Sequence, residues 1–153
     1  MNTDESIRFA TKYLEDLLSF FGINVAVYST IEDDVIQLSI PSTSMNSLLI
    51  GKNANNLRAL QHVVMMTLVA REAEVTRVNI DIADYKRQRA DKIEQQAERW
   101  IDEVRRTGKE KILDLNAADR RTVHRYASDY SDIETFSTGE GHERRLHIAK
   151  KAE

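Results

Sequence analysis

Ser47-Leu48-Leu49-Ile50-Gly51-Lys52-Asn53-Ala54-Asn55-Asn56-Leu57 is an apolar run broken by a Gly-Lys turn and restarted as a helix. Gly51 lets the backbone bend, or approach another molecule, with no Cβ in the way. Lys52 adds a cation, and Asn55 or Asn56 is placed to cap the helix that continues through Leu57, Leu60, Val64 and Leu68. A helix N-terminus directs unpaired N–H groups and a partial positive charge outwards, so a lysine beside it makes a small anion site suited to a phosphate. A Gly-Lys turn is also an ordinary corner between two helices, and these residues alone leave both readings open.

Upstream of the turn, Ile7, Ala10, Tyr13, Leu14, Leu17, Leu18 and Phe21 recur at helical spacing from Asp4, and Gly22 is a natural stop. Ile23, Val25 and Val27 alternate, Glu32-Asp33-Asp34 makes a polar turn, and Ile36, Leu38 and Ile40 alternate before Pro41. That pattern predicts two strands joined by a hairpin. Ser42 to Ile50 reads as a short helix, Gly51 to Asn55 as the turn, Asn56 to about Arg71 as a longer helix, and Val78, Ile80 and Ile82 as a third strand. The order helix, strand, strand, helix, helix, strand over residues 4–82 makes one α+β unit, with the Gly-Lys turn at its helix–helix corner.

Downstream, Tyr85 to Arg106 reads as a long helix whose narrow stripe is Ile93, Ala97, Trp100, Ile101 and Val104. Lys86, Arg87, Arg89 and Lys92 crowd its first turns, a pattern that usually marks a solvated face, and Gly108 closes it. Lys109 to Leu115 is a short extended piece. Asn116 is a good N-cap, with Asp119 three residues on, for a helix to about Ala127. Strands over Ile133–Thr138 and Arg144–Ile148 follow, joined by Gly139-Glu140-Gly141-His142-Glu143. The expectation is a second α+β unit at 108–151, coupled to the first by the helix at 84–107.

Composition narrows the function. A chain of 153 residues with 41% hydrophobic content fits one domain or two small ones with packed cores. Cysteine is absent, which excludes disulfides, thiolate metal sites and thiol nucleophiles. The acidic start and the lack of an apolar run near the roughly 18 residues of a membrane helix point to a soluble cytoplasmic protein with no direct membrane insertion. The net charge of -3 argues against a strongly basic nucleic-acid binder. Residues 1–75 carry 5 Lys+Arg against 9 Asp+Glu, whereas residues 76–153 carry 17 against 16. A nucleic acid would therefore have to meet local clusters, with affinity falling steeply as salt rises.

One such cluster lies in the second half. Arg120, Arg121 and His124 fall within one helical turn, and positions 120 and 124 share a face. Arg144 and Arg145 point to opposite sides of the last strand, with His147 on Arg145's side. Two arginines and a histidine converging near a helix start would bind phosphate, the arginines supplying bidentate contacts and a protonated histidine a third donor. The alternative is that these residues pair with Asp119, Glu140 and Glu143 or simply cover a surface.

Leu49-Ile50-Gly51-Lys52 followed by Leu57-Arg58-Ala59-Leu60-Gln61 resembles the core of a KH domain, an RNA-binding fold whose Gly-x-x-Gly loop grips the nucleic-acid backbone. Asp119-Arg120-Arg121-Thr122-Val123-His124, with Thr135-x-Ser137 and Gly139-Glu140-Gly141 after it, resembles the Arg-x-x-x-His signature of the R-3-H domain, associated with single-stranded nucleic acid. The two in this order, bridged by Ile80-Asp81-Ile82-Ala83-Asp84-Tyr85-Lys86-x-Gln88-Arg89, resemble the bacterial Jag family, also called SpoIIIJ-associated or KhpB-like proteins. The resemblance runs from about Ile7 to Lys150.

Carried over by position, Gly51, Lys52, Asn53 and Ala54 are the KH loop, with Asn55 after it, and Arg120 and His124 are the named pair of the second domain. Ala54 stands where the family has its second glycine. A positive φ there would cost roughly 1 kcal/mol, and the methyl group would stand where a phosphate should approach. Leu115-Asn116 replaces the family's frequent Pro-Met, a change expected to alter only the turn. The family's additional N-terminal domain has no counterpart before Asp4, so functions resting on it are not expected.

The fold expected is α+β: a KH-type unit at 4–83, a connecting helix at 84–107 and an R-3-H-type unit at 108–151. The function expected is non-enzymatic binding of single-stranded RNA, with single-stranded DNA the other candidate, in post-transcriptional regulation or cell-elongation control. The site residues expected are Gly51, Lys52, Asn53, Ala54, Asn55, Arg120, Arg121, His124, Arg144 and Arg145, with no catalytic residue, no metal and no cofactor. Backbone would lie against residues 51–55, bases would cross the neighbouring sheet face, and the second cluster would hold a further stretch. Aromatic platforms are sparse, so recognition is expected mostly through backbone and shape. The alternative is an interaction scaffold with a degenerate KH site. Its partner, by resemblance, is a small single-KH protein or the cell-elongation and membrane-insertase machinery. An enzyme built on His142 and His147 with Glu140 and Glu143 is the weakest reading, for their spacing matches no usual metal-ligand set.

Overall fold

The structure, a computed structural model, describes residues 1–152. They divide into two compact units, Met1–Lys86 and Arg87 onward, each a mixed α+β arrangement around a three-stranded sheet.

The first unit opens with α1 (Thr3–Ser19). Its start is a capping box: Glu5 N–H donates to the Asn2 side chain at 2.9 Å, and Asn2 N–H donates to the Glu5 carboxylate at 2.9 Å. Ser6, Ala10, Leu14 and Leu18, one helical turn apart, form its buried edge. The strands are β1 (Tyr28–Glu32) and β2 (Val35–Ile40), an antiparallel hairpin, and β3 (Arg77–Ile82), parallel to β2. Asp33 and Asp34, with φ of 51° and 60°, make the two-residue turn that suits a twisted hairpin. Between β2 and β3 come α2 (Asn46–Ile50) and α3 (Asn55–Ala70). Ile36, Leu38 and Ile40 of β2 and Val78, Ile80 and Ile82 of β3 point one way by strand alternation and meet Leu14, Leu18, Leu57, Val64 and Leu68 of the helices. The first strand is displaced from its expected place. Residues 23–27 are unpaired, and the ladder begins at Tyr28, which faces Ser39 near the end of β2. Ile23 and Val27 are buried all the same, so their alternation records packing without pairing.

The second unit takes in α4 (Tyr85–Thr107) from Arg87, then β4 (Lys111–Leu113), α5 (Ala117–Ala127), β5 (Ile133–Thr138) and β6 (Arg145–Lys150). The sheet is antiparallel in the order β4-β6-β5, which leaves β5 at an edge. Ile93, Ala97, Ile101 and Val104 of α4 are buried with Val123, Ala127, Ile133, Leu146 and Ile148, so the long helix supplies part of this core. Asn116 caps α5 as expected, its side chain accepting from Asp119 N–H at 2.8 Å. No helix among the described residues is long and apolar enough to cross a membrane.

Candidate nucleic-acid interface

The Gly51 turn is tightly built. Gly51 has φ 73° and ψ 175°, a conformation essentially reserved for glycine. A Cβ there would stand 2.7 Å from Asn56 Cγ, because the Asn56 side chain folds back over the turn and donates from Nδ2 to the Leu48 carbonyl at 2.7 Å. Lys52–Ala54 make one 3-10 turn in which Asn53 and Ala54 are left-handed, with φ of 54° and 58°. Asn55, at φ -63°, is already helical, and its side chain accepts from Arg58 Nη2 at 2.6 Å. Neither asparagine therefore caps α3, against expectation; the N-cap is Ala54, and no side chain bonds there. The result is a helix start without a capping side chain, flanked by exposed Lys52 and Asn53.

Ala54 has the positive φ considered for its position, and it is only 9% exposed and belongs to the first core. Its cost is the left-handed φ.

In the second unit, α5 and β5 position His124. Its Nδ1 lies 2.6 Å from Thr135 Oγ1 and its Nε2 3.4 Å from Ser137 Oγ, both hydroxyls standing on the helix-facing side of β5. Burial lowers the pKa of His124, and the Arg120 and Arg144 guanidiniums lower it further. The ring is neutral at pH 7, offering one N–H and one acceptor nitrogen to its two hydroxyl neighbours. Arg120 is anchored by Nη1 donating to the Leu115 carbonyl at 2.7 Å, and Arg144 by Nη1 donating to the Gly139 carbonyl at 2.9 Å. Gly139 is required for that anchor: at φ 81°, a Cβ would meet the Glu143 carbonyl oxygen at 2.8 Å. Two cations thus flank the histidine, a geometry suited to an anion such as phosphate.

The other expected residues separate. Arg121 is exposed, about 100° round α5 from Arg120. Arg145 and His147 lie on the opposite face of the sheet from His124, with Arg145 Nη1 at 3.4 Å from Asp114 Oδ1 and His147 Nδ1 at 2.9 Å from Glu110 Oε1. His142 sits exposed in the turn at Gly141–Glu143. Asp119, a candidate partner for the arginines of α5, pairs instead with Arg89 at 2.9 Å. Lys86 donates to the side chains of Asn79 and Gln61, and burial lowers its pKa against the opposing pull of Asp81. Part of the basic run at the start of α4 is therefore structural, which the run itself did not signal.

The profile of the R-3-H domain family matches residues 91–150, which hold the His124 cluster and all three strands of the second sheet. The RNA-binding protein KhpB of Bacillus subtilis is 32% identical over 108 residues, 69% of this chain and 52% of that protein. KhpB of Lactiplantibacillus plantarum is 31% identical over 108 residues, 70% of this chain and 34% of that protein. KhpB of Clostridium symbiosum is 27% identical over 149 residues, 94% of this chain and 66% of that protein. The chain thus spans about half the length of the first of these relatives and about a third of the second. The chain is thus similar to the KhpB proteins of the Jag family, and its second half matches the R-3-H domain.

Proposed function

We propose that the chain is a non-enzymatic, cytoplasmic protein that binds single-stranded RNA. In this reading residues 4–83 form a KH-like domain, and the helix at 84–107, which supplies part of the second core, joins 108–151 in the R-3-H-like domain. The observation that carries it is the pair Arg120 and Arg144 beside neutral His124, each guanidinium fixed through a backbone carbonyl. A phosphate there takes charge-assisted N–H bonds from two sides. The Gly51–Asn55 turn is a second, weaker phosphate contact, and linkage makes two weak contacts act together. Arg121 and Arg145 lie outside the cluster and contribute to its field.

Fluorescence anisotropy of a labelled 20-nucleotide mixed-sequence RNA at two salt concentrations tests the proposal. Arg120→Ala and Lys52→Glu, made separately, each weaken binding and make it less sensitive to salt. If neither substitution changes affinity at low salt, the assignment is wrong.

A second reading, a protein-interaction scaffold, is favoured by one feature of the first unit. Phe20, Phe21, Leu48, Val63, Met66 and Val69 are exposed, at 85%, 56%, 50%, 41%, 48% and 49%. A groove of about 360 Å³ lies among Leu17, Phe21, Leu48, Leu49, Leu60 and Val63. A small single-KH protein or the cell-elongation and membrane-insertase machinery would be the partner to try. Pull-downs with and without nuclease separate the readings, since a scaffold keeps its partner after digestion.

A further inference from the structure

The outward face of the second sheet carries a cross-strand row that neither sequence motif includes. Ile112 of β4 pairs with His147 of β6, which pairs with Phe136 of β5, and all three point away from α5. The Phe136 and His147 rings are parallel, with centroids 4.7 Å apart and planes 7° from each other. The imidazole is held from both ends: Nδ1 is 2.9 Å from Glu110 Oε1, and Nε2 is 2.7 Å from Thr138 Oγ1. Ile112 is 57% exposed and Phe136 39% exposed. The result is a stacked ring pair, partly exposed at Phe136 and held in place before any ligand arrives.

We infer that this row is a stacking platform for nucleobases of single-stranded RNA. The inference rests on the RNA-binding reading above and adds a site to it. Two observations choose a base over other occupants. The first is chemical: the row offers the apolar surface of Ile112 and Phe136, with Arg145 paired to Asp114, His147 hydrogen-bonded to Glu110, and exposed Glu134 two residues along β5. The exposed ring suits the uncharged face of a base, while the cations Arg120 and Arg144 beside His124 suit its phosphate. The second is continuity. Thr135 and Ser137 contact His124 on one side of β5, and Phe136, between them, stands on the other. Because β5 is an edge strand, an RNA backbone held at His124 turns around one strand to bring its next bases onto Phe136. Arg144 and Arg145, consecutive at the start of β6, lie on the two sides of that path.

The test uses the full chain and two labelled RNAs of about 12 nucleotides, an intact oligouridine and an RNA of the same length with abasic ribose at every position. Phe136→Ala weakens binding of the intact RNA roughly tenfold, leaves its salt dependence unchanged, and leaves binding of the abasic RNA unchanged; Phe136→Tyr restores it. Unchanged affinity in Phe136→Ala beside a loss in Arg120→Ala overturns the platform and keeps the phosphate grip. Equal losses of Phe136→Ala on both RNAs overturn stacking. The platform also falls if Phe136→Ala leaves RNA affinity unchanged but shifts the protein's sedimentation from dimer to monomer, for then the face joins copies of the chain. No binding of either RNA by the unsubstituted chain overturns both readings.

Discussion

Asp119 on α5 accepts from one edge of the Arg89 guanidinium on α4, Nη2 at 2.9 Å and Nε at 3.4 Å, and the two partners are unequally buried. The Asp119 side chain is 6% exposed and that of Arg89 36%. Removing the arginine strands a carboxylate away from water, whereas removing the aspartate leaves a cation that can still be hydrated. We predict that Arg89→Met destabilises the chain by about 3 kcal/mol and Asp119→Asn by only about 1–2 kcal/mol. Urea denaturation of both variants decides the order, and a larger loss in Asp119→Asn would refute it.

At the Gly51 turn, two substitutions should differ sharply. Gly51→Ala combines a backbone conformation barred to alanine with a contact at 2.7 Å, and costs at least about 2 kcal/mol. Adding Asn56→Ala relieves the contact but leaves the backbone strain, so the double variant loses less than the sum of the singles. Ala54→Gly is close to neutral: relief of a left-handed φ, about 1 kcal/mol, is offset by a lost buried methyl, about 0.8 kcal/mol, and a freer unfolded chain. Denaturation midpoints measure all of these.

His124 makes both stability and binding depend on pH. Its folded pKa is lowered, so between that value and about 6.5 the unfolded chain binds more protons than the folded one. Its contribution to stability is complete above about pH 6.5 and is lost as pH falls through that value toward the folded pKa. A bound phosphate acts in the opposite sense, favouring the imidazolium, so RNA affinity rises as pH drops from 7.5 to 6. His124→Asn should lose less stability than the unsubstituted chain on acidification and should flatten the affinity profile. A wild-type affinity that is flat or falling over that range would count against phosphate at His124.

Much of the fold was legible because the chain states it locally. Ile133–Thr138 alternates and is a strand over those residues, and Asn116 with Asp119 announces the start of α5. Legibility fails where a partner decides. Ile23, Val25 and Val27 alternate as a strand does, but β2 ends at Ile40, and β1 can pair only where β2 offers residues. The site shows the same division. Strand alternation put Arg144 and Arg145 on opposite sides, but only the packing of α5 on β5 fixes Arg144 as the one beside His124. Phe136 and His147 were both in view, yet their stacking depends on the β5–β6 register, which no local pattern in either strand reveals.

The boundary between the two units falls inside α4, at Lys86, where most proteins would place a loop. That matters for anyone dissecting the chain. Four of the nine buried side chains of the second core come from α4, so a fragment cut at the glycine after that helix would begin without Ile93, Ala97, Ile101 and Val104. Such a piece would keep the Arg-x-x-x-His motif and lose the hydrophobic support beneath it. Its failure to bind would then report an unfolded fragment and say nothing about the motif.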